Sequence, residues 1–297
     1  MRSYPETPAI ENADDALFEG GHLWIREWID GAPLRFRLTS SGAVRFGDGV
    51  RTFDPNSIPG AYRHATRHVR DRLDRDALAD AVDDVGKITF FGVATQRLTV
   101  EYDWDRLPSV LGTEVWSDEG GFLPPDAANR AYERLGLEPV NAFRKEVPPR
   151  DFEPSRDAIP NSEWYDGPAA GIEIRNTRGH RGKLLNPDLR IGSPPTPEPV
   201  SASAPEAARQ LAPEDRVRHV ANRLRERGIT PTVDTLYEYL LDDVLRRHHR
   251  RLNHPSSTVD RRALRSELAS IVGESLGGMD RRVGGGDAND GGDRSGD

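Results

Sequence analysis

A stretch rich in proline, serine and alanine, from about residue 191 to residue 215, divides the chain into two parts with different residue patterns. Before this stretch, short runs enriched in β-branched and aromatic residues alternate with Gly/Pro-rich turns, which is typical of strands in a mainly antiparallel sheet. After it, apolar residues recur at helical spacing. We therefore expect an α+β fold, in which a domain of strands and a few helices is followed by a small all-α domain.

The change in composition predicts four segments. These are an α+β domain over residues 1–192, a semi-extended linker over 193–212, a basic helical domain over 213–282, and a disordered acidic tail rich in Gly and Asp over 283–297. The length of 297 residues suits one large and one small domain.

Local patterns predict the individual elements. Candidate strands cover residues 23–27, 34–39, 43–46, 88–95, 109–116 and 171–175. Helical spacing covers residues 61–75 and 125–135, and the second of these begins with a proline, which suits a first helical turn. Three further helices are expected around residues 217–224, 236–245 and 264–272.

Composition excludes several classes of protein. The chain has 41 basic and 49 acidic residues, a net charge of −8, and its only lysines are Lys87, Lys145 and Lys183. This Arg-dominated composition resembles that of proteins from GC-rich halophilic archaea. The absence of cysteine excludes disulfides and Cys-ligated zinc. With no run of 18 apolar residues and a polar, acidic start, we expect a cytoplasmic protein without a membrane partner.

An ordered set of short motifs follows the pair Asp30-Gly31, which alone signals only a hairpin turn. The later segments are ITFFGVAT (88–95), SVLGTEVW (109–116), AAGIEIRN (169–176) and RGKLLNP (181–187). Over about residues 15–190, this order resembles the RNA ligase branch of the covalent nucleotidyltransferases. In that family, Lys-x-Asp-Gly is followed by an aromatic-Gly-Glu strand, a strand ending in Phe-Asp, Glu-Gly-x-Val-x-(Arg/Lys) and a Lys-rich strand.

The resemblance implies a fold and a chemistry. The fold would be an ATP-grasp-like antiparallel nucleotidyltransferase domain, with adenine between strands and the phosphates at the last two motifs. The chemistry would be self-adenylylation, transfer of AMP to an RNA 5′-phosphate, and sealing by a 3′-hydroxyl. The implied cofactors are ATP and Mg²⁺, and the implied partner is RNA with such ends.

Residues that match these motifs are the candidate site. The nucleotide-binding candidates are Trp28, Asp30, Gly31, Arg35, Arg51, Glu173, Arg181 and Lys183. Gly31 allows the backbone to approach a nucleotide, and Arg35 can reach ribose or phosphate. Arg181 and Lys183, two residues apart, would place two cations on one face of a strand. We expect Lys183 to be the principal ligand of the α-phosphate.

Three positions depart from the family pattern. Trp28 stands at the lysine position, and an indole N–H cannot act as the nucleophile. Val93 and Ala170 stand where glutamates would serve the sugar and the metal. Glu173 shares a strand face with Gly171, so it is a candidate metal ligand if its side chain points inward.

The departures leave three hypotheses open. In the first, the chain is an RNA ligase that joins RNA ends with ATP or acts on pre-adenylylated ends. In the second, it is a degenerate nucleotide- and RNA-binding paralogue that does not self-adenylylate. In the third, it is an unrelated α+β interaction domain.

In the helical part, residues 213–282 carry 14 basic and 11 acidic residues. The candidate RNA contacts there are Arg246, Arg247, Arg250 and Arg251. The alternative for this run is a solvated helix end that complements the helix dipole.

Overall fold

The computed structural model describes residues 1–3 and 6–284, with side chains through residue 277. The chain divides into two compact units, the first ending at Thr196 and the second beginning at Pro197. The predicted disordered tail lies outside the described residues beyond residue 284. None of the helices in the described part combines the length and apolar character that crossing a bilayer requires.

Two antiparallel sheets form the first unit. The strands in its described residues are β1 (Leu23–Glu27), β2 (Ala32–Leu38), β3 (Val44–Gly47), β4 (Ile88–Ala94), β5 (Val110–Ser117), β6 (Gly121–Phe122), β7 (Ala142–Val147), β8 (Gly171–Asn176) and β9 (Arg181–Leu185). The first sheet has the order β7-β1-β8-β9 and the second the order β3-β2-β4-β5-β6. All neighbouring strands in both sheets run antiparallel.

Helices cover the outer face of the second sheet. They are α1 (Arg63–Arg72), α2 (Arg75–Ala81) and α3 (Pro125–Arg134). The apolar residues of β2 and β4, such as Phe36 and Phe90, pack in one core with Val69 of α1 and Tyr132 of α3. Strand alternation then directs Arg35 to the opposite face, towards the first sheet.

The first sheet also has one apolar and one charged face. Leu23, Ile25, Ile172 and Ile174 are buried in one cluster with Leu17. The alternating residues of the same strands include Arg26, Glu173 and Arg175, and Arg26 and Arg175 contact Glu114 of the second sheet. The space between the sheets therefore contains buried charges rather than a continuous apolar core.

Four helices form the described part of the second unit. They are α4 (Ala204–Leu211), α5 (Glu214–Glu226), α6 (Val233–Leu252) and α7 (Arg261–Gly284). Apolar residues from all four share one core. Thr232 caps α6 by accepting a hydrogen bond from the Thr235 amide at 3.1 Å.

The predicted linker over 193–212 is wrong in its second half, because α4 lies there. Ser203 and Glu206 form a capping box at its start, and the proline falls in the first turn, where it breaks no helical hydrogen bond. Ala207, Ala208 and Leu211 are buried in the helical core. The alanines that suggested a linker are helix formers that pack closely.

The α+β prediction is confirmed, with two local corrections. The helix expected over 61–75 is two helices, because Asp74 accepts a hydrogen bond from the Ala77 amide and so caps α2. Strand β7 was not predicted, since it is an edge strand whose central residues Arg144, Lys145 and Glu146 are exposed and show no apolar alternation.

Candidate functional site

Arg26 of β1 lies at the centre of a buried ion-pair network between the sheets. Its guanidinium donates three hydrogen bonds of 2.6 Å, to the carbonyl of Thr113, to Oε1 of Glu114 on β5, and to Oε2 of Glu173 on β8. Arg26 and Glu173 are directly paired across β1 and β8. Arg26 is 0% exposed, so these contacts replace its hydration.

Two further arginines complete this network. Arg175 of β8 pairs with Oε2 of Glu114, and Arg181 of β9 lies 3.8 Å from Oε1 of the same carboxylate. Burial opposes ionisation of Glu173, but the charges of Arg26 and Arg181 outweigh it and lower the pKa of that carboxyl. The Glu173 carboxylate is therefore held ionised, and Glu114 lies within ion-pair distance of all three guanidiniums.

These contacts correct the expectation that Glu173 is available to a metal. Its Oε1 accepts a hydrogen bond from Thr7 at 3.3 Å, and its Oε2 accepts the one from Arg26. Among the described residues, no group of three or more His, Asp or Glu side chains is arranged to hold a metal ion. Mg²⁺ needs carboxylate oxygens that are not already neutralised, so the donor set between the sheets does not fit it.

Trp28, Val93 and Ala170 come together in one apolar cluster, although they are far apart in the sequence. Ala170 is fully buried there, and the side chains of Trp28 and Val93 pack against the same core. Gly31 is part of this contact, because a Cβ at residue 31 would lie 2.5 Å from Cγ1 of Val93. The three positions that depart from the RNA ligase pattern therefore lie in or against the same apolar cluster.

Lys183 of β9 lies against this cluster. Its Nζ is 4.8 Å from the ring centroid of Trp28, which is a cation–π contact. No carboxylate forms an ion pair with Lys183 in the part of the chain that the structure describes. The first and last motifs thus meet, and the meeting point carries a cation without an anionic partner.

Arg35 of β2 is 2% exposed, and its hydrogen-bond acceptors are neutral. The guanidinium donates to the carbonyls of Met1 (3.2 Å), Arg2 (2.6 Å) and Val50 (2.6 Å). Burial lowers its pKa, and the charge of Asp48 only partly offsets this effect. Arg35 is a second cation that lacks an ion-pair partner among the described residues.

Phe122 of β6 lies against two further arginines. Its ring lies 5.1 Å from the guanidinium carbon of Arg181 and 5.7 Å from that of Arg2. We call Trp28, Arg35, Phe122, Arg181 and Lys183 the intersheet face, because they belong to strands or strand ends of both sheets, and Arg181 also borders the Arg26 network.

Two predicted residues have other contacts. Asp30 is buried, and its Oδ2 accepts hydrogen bonds from the amides of Thr99 (2.7 Å) and Val100 (3.0 Å), so this carboxylate holds a loop. The Arg51 side chain is 78% exposed and pairs with Asp48 in its own turn. The structure does not bring these two side chains into the intersheet face.

Sequence reasoning missed Arg26 and Glu114 as members of the site. A signal for Arg26 is present, because it is a charge within an apolar strand run, LWIRE. Glu114 alternates with Thr113 and Val115 in β5, and Val115 faces the outer core. Alternation alone would therefore have placed Glu114 on the inner face.

The predicted RNA contacts on α6 are less accessible than expected. Arg246 is 4% exposed, and its burial lowers its pKa to about 9, which corrects its assignment as a phosphate contact. Arg247 lies 4.0 Å from Asp243, and the Arg251 guanidinium donates to the carbonyl of Glu198. Arg247, Arg250 and Arg251 are half-buried.

Comparisons with known proteins were made at the levels of sequence and structure. No protein-family model and no curated protein matches the chain. Among solved structures, form 2 of an archaeal ATP-dependent RNA ligase is 13% identical with a TM-score of 0.48, over 95% of this chain and 67% of that one. A Naegleria gruberi RNA ligase with PPi is 10% identical with a TM-score of 0.48, over 64% and 57% of the two chains. At sequence identities and TM-scores this low, these structures do not establish a function, which has to be inferred from the residues of the site.

Proposed function

We propose that this chain is an RNA-ligase-like protein that binds ATP, AMP or RNA ends through their phosphates and does not adenylylate itself. The observation that carries the proposal is that Ala170 belongs to one apolar cluster against which Trp28 and Val93 both pack. The sequence resemblance expects a lysine and two glutamates at these positions. Without an amine at residue 28, no phosphoramidate can form there.

The intersheet face supports the binding part of the proposal. Lys183 and Arg35 have no carboxylate partner in the described residues, and Arg181 lies two residues from Lys183 on the same face of β9. A phosphate offers these donors charged oxygens, which make stronger hydrogen bonds than neutral carbonyls. The face therefore favours an anionic ligand.

Metal-dependent chemistry is not part of this proposal. The carboxylates near the face, Glu114 and Glu173, are paired with Arg26 and its neighbours. The cations of the chain itself would neutralise the ligand's phosphates. Binding of ATP should accordingly persist when EDTA removes divalent cations.

In the helical unit, we propose Arg247, Arg250 and Arg251 as weak, nonspecific contacts to RNA phosphates. They follow one another near the end of α6, and their half-buried side chains keep part of their surface in solvent. Such contacts are electrostatic and weaken steeply as salt increases.

The test of nucleotide binding is the dissociation constant of ATP for the full chain and for two lysine variants, measured by calorimetry in EDTA. Lys183→Met should weaken binding about tenfold or more, the range of a charge-assisted hydrogen bond. Lys145→Met is the matched control, because Lys145 also lies over a tryptophan ring, 5.0 Å from that of Trp24, on edge strand β7.

The outcomes separate the hypotheses. Loss of affinity in Lys183→Met alone supports a nucleotide site at the intersheet face. Equal effects of the two variants, or no ATP binding by the full chain, would contradict it and favour an unrelated interaction domain. Sealing of pre-adenylylated RNA by the full chain would instead identify a ligase that omits the first step.

A further inference from the structure

The start of the chain lies on the intersheet face. We define the N-terminal strap as residues 1–3 and 6–9, all within the described part of the chain. It contacts both sheets of the first unit. Its contacts involve the guanidinium of Arg35, to which the proposed function assigns phosphate binding, and the backbone of Lys183.

On the first sheet, the strap extends the edge next to β9. The Lys183 amide donates to the carbonyl of Pro8 at 2.8 Å, and Ala9 pairs with Lys183 in a parallel bridge. Thr7 is 8% exposed, and its hydroxyl donates to Glu173. This end of the strap is a built part of the sheet.

On the second sheet, the strap is held by Arg35 and by aromatic rings. The carbonyls of Met1 and Arg2 accept hydrogen bonds from the buried Arg35 guanidinium. The Arg2 guanidinium lies 3.7 Å from the ring centroid of Trp116, although Arg2 itself is exposed to solvent. This end is therefore held by a few polar and cation–π contacts without a buried apolar anchor.

The carbonyls that accept hydrogen bonds from Arg35 take the place of an anionic acceptor. Arg35 is a buried cation whose acceptors are neutral carbonyls, and its Nε has no acceptor within the described residues. A phosphate would satisfy the charge as well as the hydrogen bonds. The strap carbonyls and a phosphate would compete for the same guanidinium.

We propose that the first residues of the strap are an internal occupant of the phosphate-binding face, and that ATP or an RNA 5′-phosphate displaces them when it binds. This inference rests on the proposed function, since it needs an anionic ligand at the face. The strap lowers the apparent affinity by the free energy of its own contacts. Residues 7–9 stay paired with β9 while residues 1–3 leave.

In the first test, the direction in which a single substitution changes the affinity for ATP decides between charge effects and competition by the strap. Arg2→Ala removes a positive charge, which by electrostatics alone would weaken ATP binding. If residues 1–3 compete with ATP, the same change should tighten binding two- to fivefold, the equivalent of a cation–π contact at an exposed site. The control is Arg150→Ala, which removes another exposed arginine of the first unit, one with an 86% exposed side chain.

A chain that lacks residues 1–6 removes both strap acceptors of Arg35 and should bind ATP about tenfold more tightly than the full chain. The strap movement itself can be observed because the chain has no cysteine. A bimane dye on Ser3→Cys, next to Arg2, should be quenched by Trp116 and should brighten when ATP is added. Trp116→Phe in the labelled chain shows how much of the quenching comes from that ring.

The failures of the two proposals are distinguishable. Tighter binding by Arg2→Ala with brightening of the dye supports the strap. Equal or weaker binding by Arg2→Ala, with no change in the dye, overturns the strap and leaves the nucleotide site standing. Absence of ATP binding by the full chain, by Arg2→Ala and by the shortened chain overturns the proposed function, and the strap as a competitor falls with it.

Discussion

Removal of the Arg26 side chain is the most informative perturbation of the fold. Arg26→Met keeps an unbranched apolar stem but removes the guanidinium, so Glu114, Glu173 and the Thr113 carbonyl each lose one hydrogen bond of 2.6 Å. Removing one partner of a buried ion pair lowers the free energy of unfolding by about 3–5 kcal/mol. Because Arg175 and Arg181 remain beside the carboxylates, we expect about 3 kcal/mol.

Unfolding in urea, followed by tryptophan fluorescence, measures this loss in the first unit alone. All five tryptophans lie there: Trp24, Trp28, Trp104, Trp116 and Trp164. With a slope of about 2 kcal/mol per molar urea, a loss of about 3 kcal/mol moves the midpoint down by roughly 1.5 M. The control is Arg130→Met, which breaks an exposed i,i+4 ion pair with Asp126 on α3 and should cost less than about 1 kcal/mol.

The pH dependence supplies a second signature. The pKa of Glu173 is lowered in the folded chain, so its contribution to stability is present above the ordinary carboxyl pKa and is lost as pH falls through the lowered value. In Arg26→Met, Glu173 loses the strongest cause of that lowering, and its protonation relieves the defect. The cost of the substitution should therefore shrink as pH falls from 7 towards 4. A cost below about 1 kcal/mol at pH 7 would refute the view that this network holds the sheets together.

Further predictions concern activity and RNA. Trp28→Lys alone should not produce self-adenylylation. The adenylylation rate of the triple variant Trp28→Lys, Val93→Glu and Ala170→Glu should exceed the sum of the rates of the single variants, because residues of one catalytic unit are not additive. Measurement of the rates across the series tests this. As much adenylate from the single variant as from the triple one would show that the two carboxylates are dispensable. In the full chain, Arg250→Ala should weaken RNA binding at low salt, as filter binding would show, whereas Arg246→Ala should lower the unfolding temperature instead, because Arg246 is buried. RNA affinity that is unchanged in Arg250→Ala would contradict the assignment of Arg250 as a phosphate contact.

Strands and helices with a strong apolar period were predictable from the sequence. Leu34, Phe36 and Leu38 alternate in β2 because one face of that strand is buried, and the same logic located β1, β4, β5 and β8. Helix α4 escaped prediction because prolines and alanines are common both in linkers and in the first turns of helices. What decided between these readings is the burial of Ala207 and Leu211 against other helices, which no local pattern reveals.

The site was predictable only in part. The order of the motifs indicated that Trp28 and Lys183 would meet, and the structure has them in contact, although nucleotide binding by either residue stays a prediction. The Arg26 network joins residues that lie 88 and 147 positions apart, so it depends on how the two sheets pack. Asp30 shows another limit, because a sequence does not tell whether a carboxylate faces a ligand or binds the amides of a loop.

The central claim is that this chain binds nucleotide phosphates without capturing AMP covalently. Intact-mass spectrometry of the full chain after incubation with ATP and Mg²⁺ tests it most directly, at an ATP concentration that calorimetry shows to be saturating. The apolar cluster around Trp28 predicts an unchanged protein mass, because no amine lies at the nucleophile position. A mass increase of one AMP, mapped by peptide analysis to Lys183 or Lys87, would contradict the account and show that another lysine has taken over the role of the nucleophile.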